Sequence, residues 1–189
     1  MKARILVWLV ALFCCHNVLF AQKEFVNASA RLSGHPRILL QKGEEKALKK
    51  VIMKDAVWKD IHQSLVDEAG EIVKLPLNER IKTGRRLLSV SRENLRRIFI
   101  LSYAYRMTGK NEFLKRAESE MLKAASFSDW NPSHFLDVGE MTMALAIGYD
   151  WLYPQLSVQT KKEIENAIVE KGLKPSFDER YNWFVNAVH

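Results

Sequence analysis

Residues 98–105 read IFILSYAY, and this stretch decides the fold class of the chain. It lies in a segment that predicts one helix, from Ser91, which can cap the first turn, to Thr108, with Gly109 just past the end. The centre of this helix is apolar on nearly every side. Because such a helix must be covered all round by other parts of the protein, the stretch predicts the middle of a helical core.

The segments that follow repeat this theme. Residues Asn111 to Ala125 predict an amphipathic helix, with apolar side chains on one face and charged ones elsewhere. A second mostly apolar helix is predicted to open at Asp137, where Glu140 stands three residues on, as in a capping box. A second amphipathic helix follows, capped by Ser157 and ending near Gly172. A buried helix and a surface helix therefore alternate twice.

The two helix pairs align with one another. Leu101 and Tyr105 recur as Leu145 and Tyr149, both 44 residues later. No useful stretch of the chain alternates as a β-strand does. We therefore predict an all-α protein built from stacked helical hairpins. The remaining predicted helices lie upstream, at residues 44–53 and 56–73.

The first 21 residues have the order of a secretory signal peptide. Lys2 and Arg4 precede a short apolar run, and Ala21 supplies a small residue at its end. We therefore predict that residues 1–21 are removed and that residues 22–189 are periplasmic or secreted, with no stable membrane insertion after cleavage. A lipid anchor on a cysteine of this segment is the alternative interpretation.

The composition excludes several classes of protein. The chain has 189 residues, 48% hydrophobic and 27% charged, which excludes a disordered, collagen-like or multi-span membrane protein. Cys14 and Cys15 both lie in the predicted signal peptide, so the mature chain has no disulfide and no cysteine-ligated metal. With no phosphate-binding loop, nucleophile elbow or zinc motif, we expect no metal, no cofactor and no nucleic-acid partner. The net charge is +7 for the full sequence and +5 without Lys2 and Arg4 of the predicted signal peptide, and a basic mature chain suits an acidic polymer.

Three segments carry a family resemblance. The first is HPRILL at residues 35–40, the second is WNPSHFLDVGEM at residues 130–141, and the third is ALAIGYDWLY at residues 144–153. Together they resemble heparinase II/III-type polysaccharide lyases, and most closely the N-terminal region of the heparinase II-like members. The resemblance covers most of the mature chain, and the order and spacing of the last two segments are its most specific part.

The resemblance implies a fold, an incomplete α/α toroid of helical hairpins followed by β-sandwich domains. Residues 22–189 would then be the N-terminal part of the toroid, truncated at the C-terminal end, with the rest of the toroid and the β-sandwich as missing partners. Such lyases cleave acidic, uronate-containing glycans related to heparin and heparan sulfate by β-elimination.

The same resemblance implies where the chemistry lies. A polar group neutralises the uronate carboxylate, and Tyr or His side chains remove the C5 proton and protonate the leaving oxygen. The family's catalytic Tyr and His fall beyond His189, so the chain alone is expected to be inactive. The alternative class of function is a non-catalytic helical-repeat module that binds a glycan or a protein.

One loop holds the first group of candidate substrate-binding residues. Aromatic side chains stack on sugars, and Asn or His donates to carboxylate or sulfate, so we consider Trp130, Asn131 and His134 as cleft residues. The structural alternative makes Trp130 a plug over the next hairpin, His134 a local hydrogen-bond partner and Asp137 a helix cap. Asp150 is interpreted as a packing residue bonded to neighbouring backbone.

Two further groups complete the candidate site. The basic pair Arg85 and Arg86 precedes a helix start and is the best candidate for steering an acidic glycan. Asn182, Trp183 and His189 fall where the next hairpin of a toroid would line the cleft, although a lone histidine in an apolar segment is more often packed than catalytic.

Overall fold

A computed structural model describes residues 34–181 of the chain, and their regular structure is helical. Within this part of the chain there is no β-strand, and only an isolated bridge joins Thr83 to Arg86. The prediction of an all-α protein is confirmed. The α-helices are α1 (Glu45–Lys54), α2 (Ala56–Lys74), α3 (Leu88–Thr108), α4 (Asn111–Ala125), α5 (Phe135–Leu152) and α6 (Val158–Ala167). A π-helical segment, Ile168–Leu173, and a 3₁₀ turn, Lys174–Phe177, extend α6.

Two parts of the sequence analysis fall outside the described residues. They are the signal peptide predicted at residues 1–21 and the candidate site residues Asn182, Trp183 and His189. None of the helices among residues 34–181 is both long enough and apolar enough to cross a lipid bilayer.

The core lies between α3 and α5, which pack on each other more extensively than any other pair of helices described. The repeated leucines, Leu101 and Leu145, are both fully buried there. Gly148 allows the close approach, because a Cβ atom at this position would lie 2.6 Å from Ile98 Cγ2 and 2.5 Å from Met121 Sδ. The amphipathic helices α4 and α6 contact each other as well and cover the two apolar helices.

The apolar face of α2 is buried only in the C-terminal half of the helix. Ala69 and Ile72 are buried, whereas Trp58 is 48% and Ile61 is 44% exposed. The helix begins after Asp55, whose carboxylate accepts hydrogen bonds from the backbone N–H groups of the first turn. Its C-terminal half therefore packs on the core while its N-terminal half projects apolar side chains to the surface.

Two predicted helix starts are wrong and two other predicted caps are confirmed. Helix α3 begins at Leu88, and Ser91 is a buried residue inside the helix whose hydroxyl donates to the carbonyl of Leu87. Helix α5 begins at Phe135 rather than at Asp137. The confirmed caps are Gly109, which ends α3 in the left-handed conformation with φ of 74°, and Ser157, which accepts from the Thr160 N–H at 3.0 Å.

Residues 35–40 dock on the C-terminal end of α5. The carboxylate of Asp150 accepts hydrogen bonds from the backbone N–H groups of Arg37 at 2.9 Å and Ile38 at 3.0 Å, and it pairs with Nδ1 of His35 at 2.5 Å. The indole of Trp151 donates to the carbonyl of Ile38. Two of the segments that carry the family resemblance therefore contact each other directly, and the backbone that Asp150 binds is distant in sequence rather than neighbouring.

Candidate functional site

A tight turn presents the basic pair. The Thr83 N–H donates to the Arg86 carbonyl at 2.9 Å, and the Arg86 N–H donates to the Thr83 carbonyl at 3.2 Å. Gly84 lies between them with φ of 61°, a conformation that costs glycine little. The side chains of Arg85 and Arg86 are both exposed, so the turn holds two guanidinium groups at the surface beside the start of α3.

Asn131 ties this turn to the loop before α5. Its side-chain amide donates to the carbonyl of Arg85 at 2.9 Å, and its backbone N–H donates to a carboxylate oxygen of Asp129 at 2.7 Å. The φ of Asn131 is 59°, a left-handed conformation that asparagine tolerates better than most residues. Burial raises the pKa of Asp129, but the hydrogen bonds from Arg80, the Asn131 N–H and Ser128, together with the positive charge of Arg80, outweigh that effect, so the pKa lies below its usual value. Asp129 therefore acts as a charged anchor for the loop.

Asp137 connects the same loop to the first residue before α3. It is fully buried, and one carboxylate oxygen accepts from the Leu87 N–H at 2.7 Å and from the amide of Asn131. The other oxygen contacts Nδ1 of His134 at 2.8 Å. Asp137 was predicted to cap its own helix, and this prediction is wrong. Its buried carboxylate instead holds both His134 and the backbone of Leu87, the residue that follows the turn of Arg85 and Arg86.

The arginine turn and the histidine loop enclose one cavity of about 250 Å³, lined by Arg85, Arg86, Ser133 and His134. His134 is partly open, with a quarter of its side chain exposed. Sequence analysis placed Arg85 and Arg86 in one candidate patch and His134 in another, and the structure brings them together. We call this cavity the basic pocket.

The basic pocket holds cations without a carboxylate partner. Neither Arg85 nor Arg86 makes an ion pair or a side-chain hydrogen bond with any of residues 34–181. The remaining arginines in that range all pair with carboxylates, and they are Arg37, Arg80, Arg92, Arg96, Arg97, Arg106, Arg116 and Arg180. Two unneutralised guanidinium groups beside a histidine form a site suited to an anion.

Two predicted cleft residues have structural roles instead. Trp130 is fully buried, and its indole N–H donates to the Ala124 carbonyl at 3.0 Å, so its ring is not available to stack on a sugar. Asn131 is only 3% exposed, and its amide is engaged by the contacts described above. Both belong to the framework of the pocket.

Ser133 was not among the predicted site residues, and Asp137 was interpreted as a helix cap. Ser133 lines the pocket, and Asp137 positions its histidine. The sequence from Asn131 to Asp137 offered a signal that these side chains lie close together, because asparagine before proline favours a tight turn and asparagine side chains often bond within such a turn. Nothing in the sequence around Asp137 indicates that its carboxylate binds the Leu87 N–H, which is 50 residues away in sequence.

A larger cavity lies at the other end of the helices, where residues 35–40 dock. It measures about 390 Å³ and is lined by residues that include His35, Glu45 and Arg106. Its central charges neutralise each other, because Arg106 pairs with Glu45 at 2.5 Å. Among the described residues, no three His, Cys, Asp or Glu side chains lie close enough together to hold a metal ion.

Comparison of the chain with protein-family models and with curated proteins gives no match.

Proposed function

We propose that this chain is the N-terminal helical part of an exported lyase of acidic polysaccharides, and that the basic pocket binds a carboxylate or sulfate group of the glycan. The observation that supports this proposal is which arginines form ion pairs with carboxylates and which do not. In residues 34–181 only Arg85 and Arg86 lack a carboxylate partner, and both line the cavity that His134 shares.

The toroid is part of this proposal. Helices α3 and α5 form an apolar inner pair, and the helix after each one, α4 or α6, lies on the outside and contacts the other outer helix. Successive hairpins of an α/α toroid have that two-layer order. The basic pocket lies where α3 and α5 both begin, and loops at the helix ends of a toroid are where we expect the glycan to lie.

In this proposal the described residues bind the glycan, and the elimination chemistry requires the rest of the enzyme. A β-elimination needs a carboxylate neutraliser, a base and an acid around one uronate. The resemblance assigns the catalytic Tyr and His to sequence beyond His189. The purified chain should therefore bind acidic glycans without producing the unsaturated uronate.

The test compares binding of a heparin oligosaccharide by the wild-type chain and by the double variant Arg85→Gln/Arg86→Gln. Each lost charge-assisted contact is worth about 1.5–3 kcal/mol, so we expect loss of both to lower the affinity by about a hundredfold or more. The matched control is Lys49→Gln/Lys50→Gln, which removes the same charge from exposed positions on α1. Binding should also weaken with added salt, because the contacts are exposed to solvent.

Two results would contradict the proposal. Equal losses in the two double variants would show that only net charge matters, and equal binding of neutral dextran would remove the specificity for acidic sugars. Ultraviolet absorbance of an unsaturated uronate product, abolished by His134→Ala, would place the chemistry inside this chain.

A further inference from the structure

The hydrogen-bonding pattern of His134 shows which ring nitrogen is left for a ligand of the basic pocket. A carboxylate only accepts hydrogen bonds, so the contact of 2.8 Å to Asp137 requires a hydrogen on Nδ1 of His134. Asp137 is fully buried, and its second oxygen is held by the Leu87 N–H at 2.7 Å. The carboxylate therefore cannot swing away from the ring. Nε2 makes no hydrogen bond with any residue in the described part of the chain.

Charges of both signs surround His134. Its Nδ1 is bonded to the Asp137 carboxylate, and a proton added at Nε2 would bring further positive charge into a cavity that Arg85 and Arg86 line, where their charges would oppose it. Lys82, whose ammonium lies 3.4 Å from Oδ1 of Asn131, adds positive charge near the same loop. An anion placed between the arginines and Nε2 would neutralise the opposing charge and accept a hydrogen bond from Nε2–H.

We propose that binding of an anionic group in the basic pocket is coupled to proton uptake from solvent by His134, with Asp137 as the positioning residue. This inference rests on the proposed role of the pocket as an anion site. It adds that affinity for sulfate or carboxylate rises as the pH falls through the range in which histidine titrates, between about pH 8 and pH 5.

The other described histidines provide internal controls. His35 has the same kind of contact, Nδ1 to the carboxylate of Asp150, but its Nε2 is occupied at 3.1 Å by the guanidinium of Arg37. His62 pairs through Nδ1 with the hydroxyl of Tyr103 at 2.9 Å. Neither histidine lines the basic pocket, so neither should respond to an anion bound there.

The experiment is an NMR titration of the histidine rings in the purified chain between pH 5 and pH 8. Inorganic sulfate is the probe, and chloride at matched ionic strength is the reference. We expect neutral His134 to carry its hydrogen on Nδ1. Sulfate should move the His134 midpoint upward by about one pH unit, which corresponds to about tenfold tighter binding by the protonated form. The midpoints of His35 and His62 should stay in place.

Variants separate the parts of the inference. Arg85→Gln/Arg86→Gln should abolish the response of His134 to sulfate, and Asp137→Asn should change its neutral tautomer. His134→Gln replaces a partly exposed side chain and provides a variant if Asp137→Asn fails to fold. In His134→Gln, sulfate affinity should no longer depend on pH between pH 5 and pH 8. A hydrogen on Nε2 in the neutral wild type, or a midpoint that sulfate leaves unchanged, would overturn the inference.

The same variants distinguish this inference from the proposed function. If a heparin oligosaccharide binds through Arg85 and Arg86 equally well at pH 6 and pH 8, proton uptake is wrong and the glycan site stands. If sulfate shifts His134 but acidic oligosaccharides do not bind, the glycan site is wrong and the coupled anion site stands.

Discussion

Glu120 on α4 is the buried charge whose removal should destabilise this protein most clearly. It is fully buried, and its Oε1 accepts hydrogen bonds from Arg97 at 3.1 Å and from Nη2 of Arg116 at 2.7 Å. Those two arginines in turn donate to the backbone carbonyls of Val73 and Pro76, at the end of α2. One carboxylate therefore fixes two guanidinium groups that hold three helices together.

We expect Glu120→Gln to lower the free energy of unfolding by about 3 kcal/mol. Breaking a buried ion pair by removing one partner costs about 3–5 kcal/mol, because a charge is left buried and unpaired. The lower end applies here, because Arg97 keeps Glu93 at 2.6 Å and its contact with Pro76. Oε2 of Glu120 has no hydrogen-bond partner among the described residues, which also limits the loss.

The assay is urea unfolding of the chain followed by circular dichroism. The matched control is Glu112→Gln on the same helix, an exposed position that contributes only through the helix dipole, at about 0.3–1 kcal/mol. The double variant Arg116→Met/Glu120→Leu should recover part of the loss, since apolar replacement of a buried pair is often neutral. A loss below about 1 kcal/mol in Glu120→Gln would refute the view that this network holds the helices together.

Three further predictions concern pH and packing. The hydrogen bond from Arg96 lowers the pKa of Glu93, so its contribution to stability is present at neutral pH and lost as the pH falls below about 4.5. Glu93→Gln should therefore be less stable than wild type at pH 7 and lose less stability on acidification, as measured by urea midpoints across pH. Gly148→Ala should cost about 1–3 kcal/mol by clashing with Met121 and Ile98. Gly70→Ala, whose Cβ meets nothing within 4 Å in the middle of α2, should stabilise by about 0.5–1 kcal/mol in the same assay.

The sequence predicted the helices well where their signals are local. Examples are the apolar centre of α3, the left-handed Gly109 and the hydroxyl cap of Ser157. Each depends on residues within one or two helical turns, so it can be predicted without the tertiary structure. The starts of α3 and α5 were misplaced for the opposite reason. The Leu87 N–H is satisfied by Asp137 from another helix, so no local capping residue is needed there.

The candidate site was predictable in its residue types and not in its assembly. Basic and histidine side chains could be selected from the sequence as groups that bind acidic sugars. That Arg85 and His134 line one cavity depends on Asn131, whose left-handed backbone and buried amide join the two loops. Burial also decided the role of Trp130, because a tryptophan in a loop looks the same in sequence whether it covers the core or faces a ligand.

The two ends of α5 show why one end is the better candidate for function. Each end has a buried aspartate that binds distant backbone N–H groups and the Nδ1 of a histidine, Asp137 with His134 at the start and Asp150 with His35 at the finish. At the finish, Arg37 occupies the second ring nitrogen, so His35, the Asp150 carboxylate and the Trp151 indole are all used to dock residues 35–40. At the start, Nε2 of His134 has no hydrogen bond to any of residues 34–181, and His134 lines the same cavity as Arg85 and Arg86, which lack a carboxylate partner in that range. The two ends of α5 therefore have the same supporting hydrogen bonds, but the start of the helix has polar groups left for a ligand. This difference favours the start of α5 as the binding site.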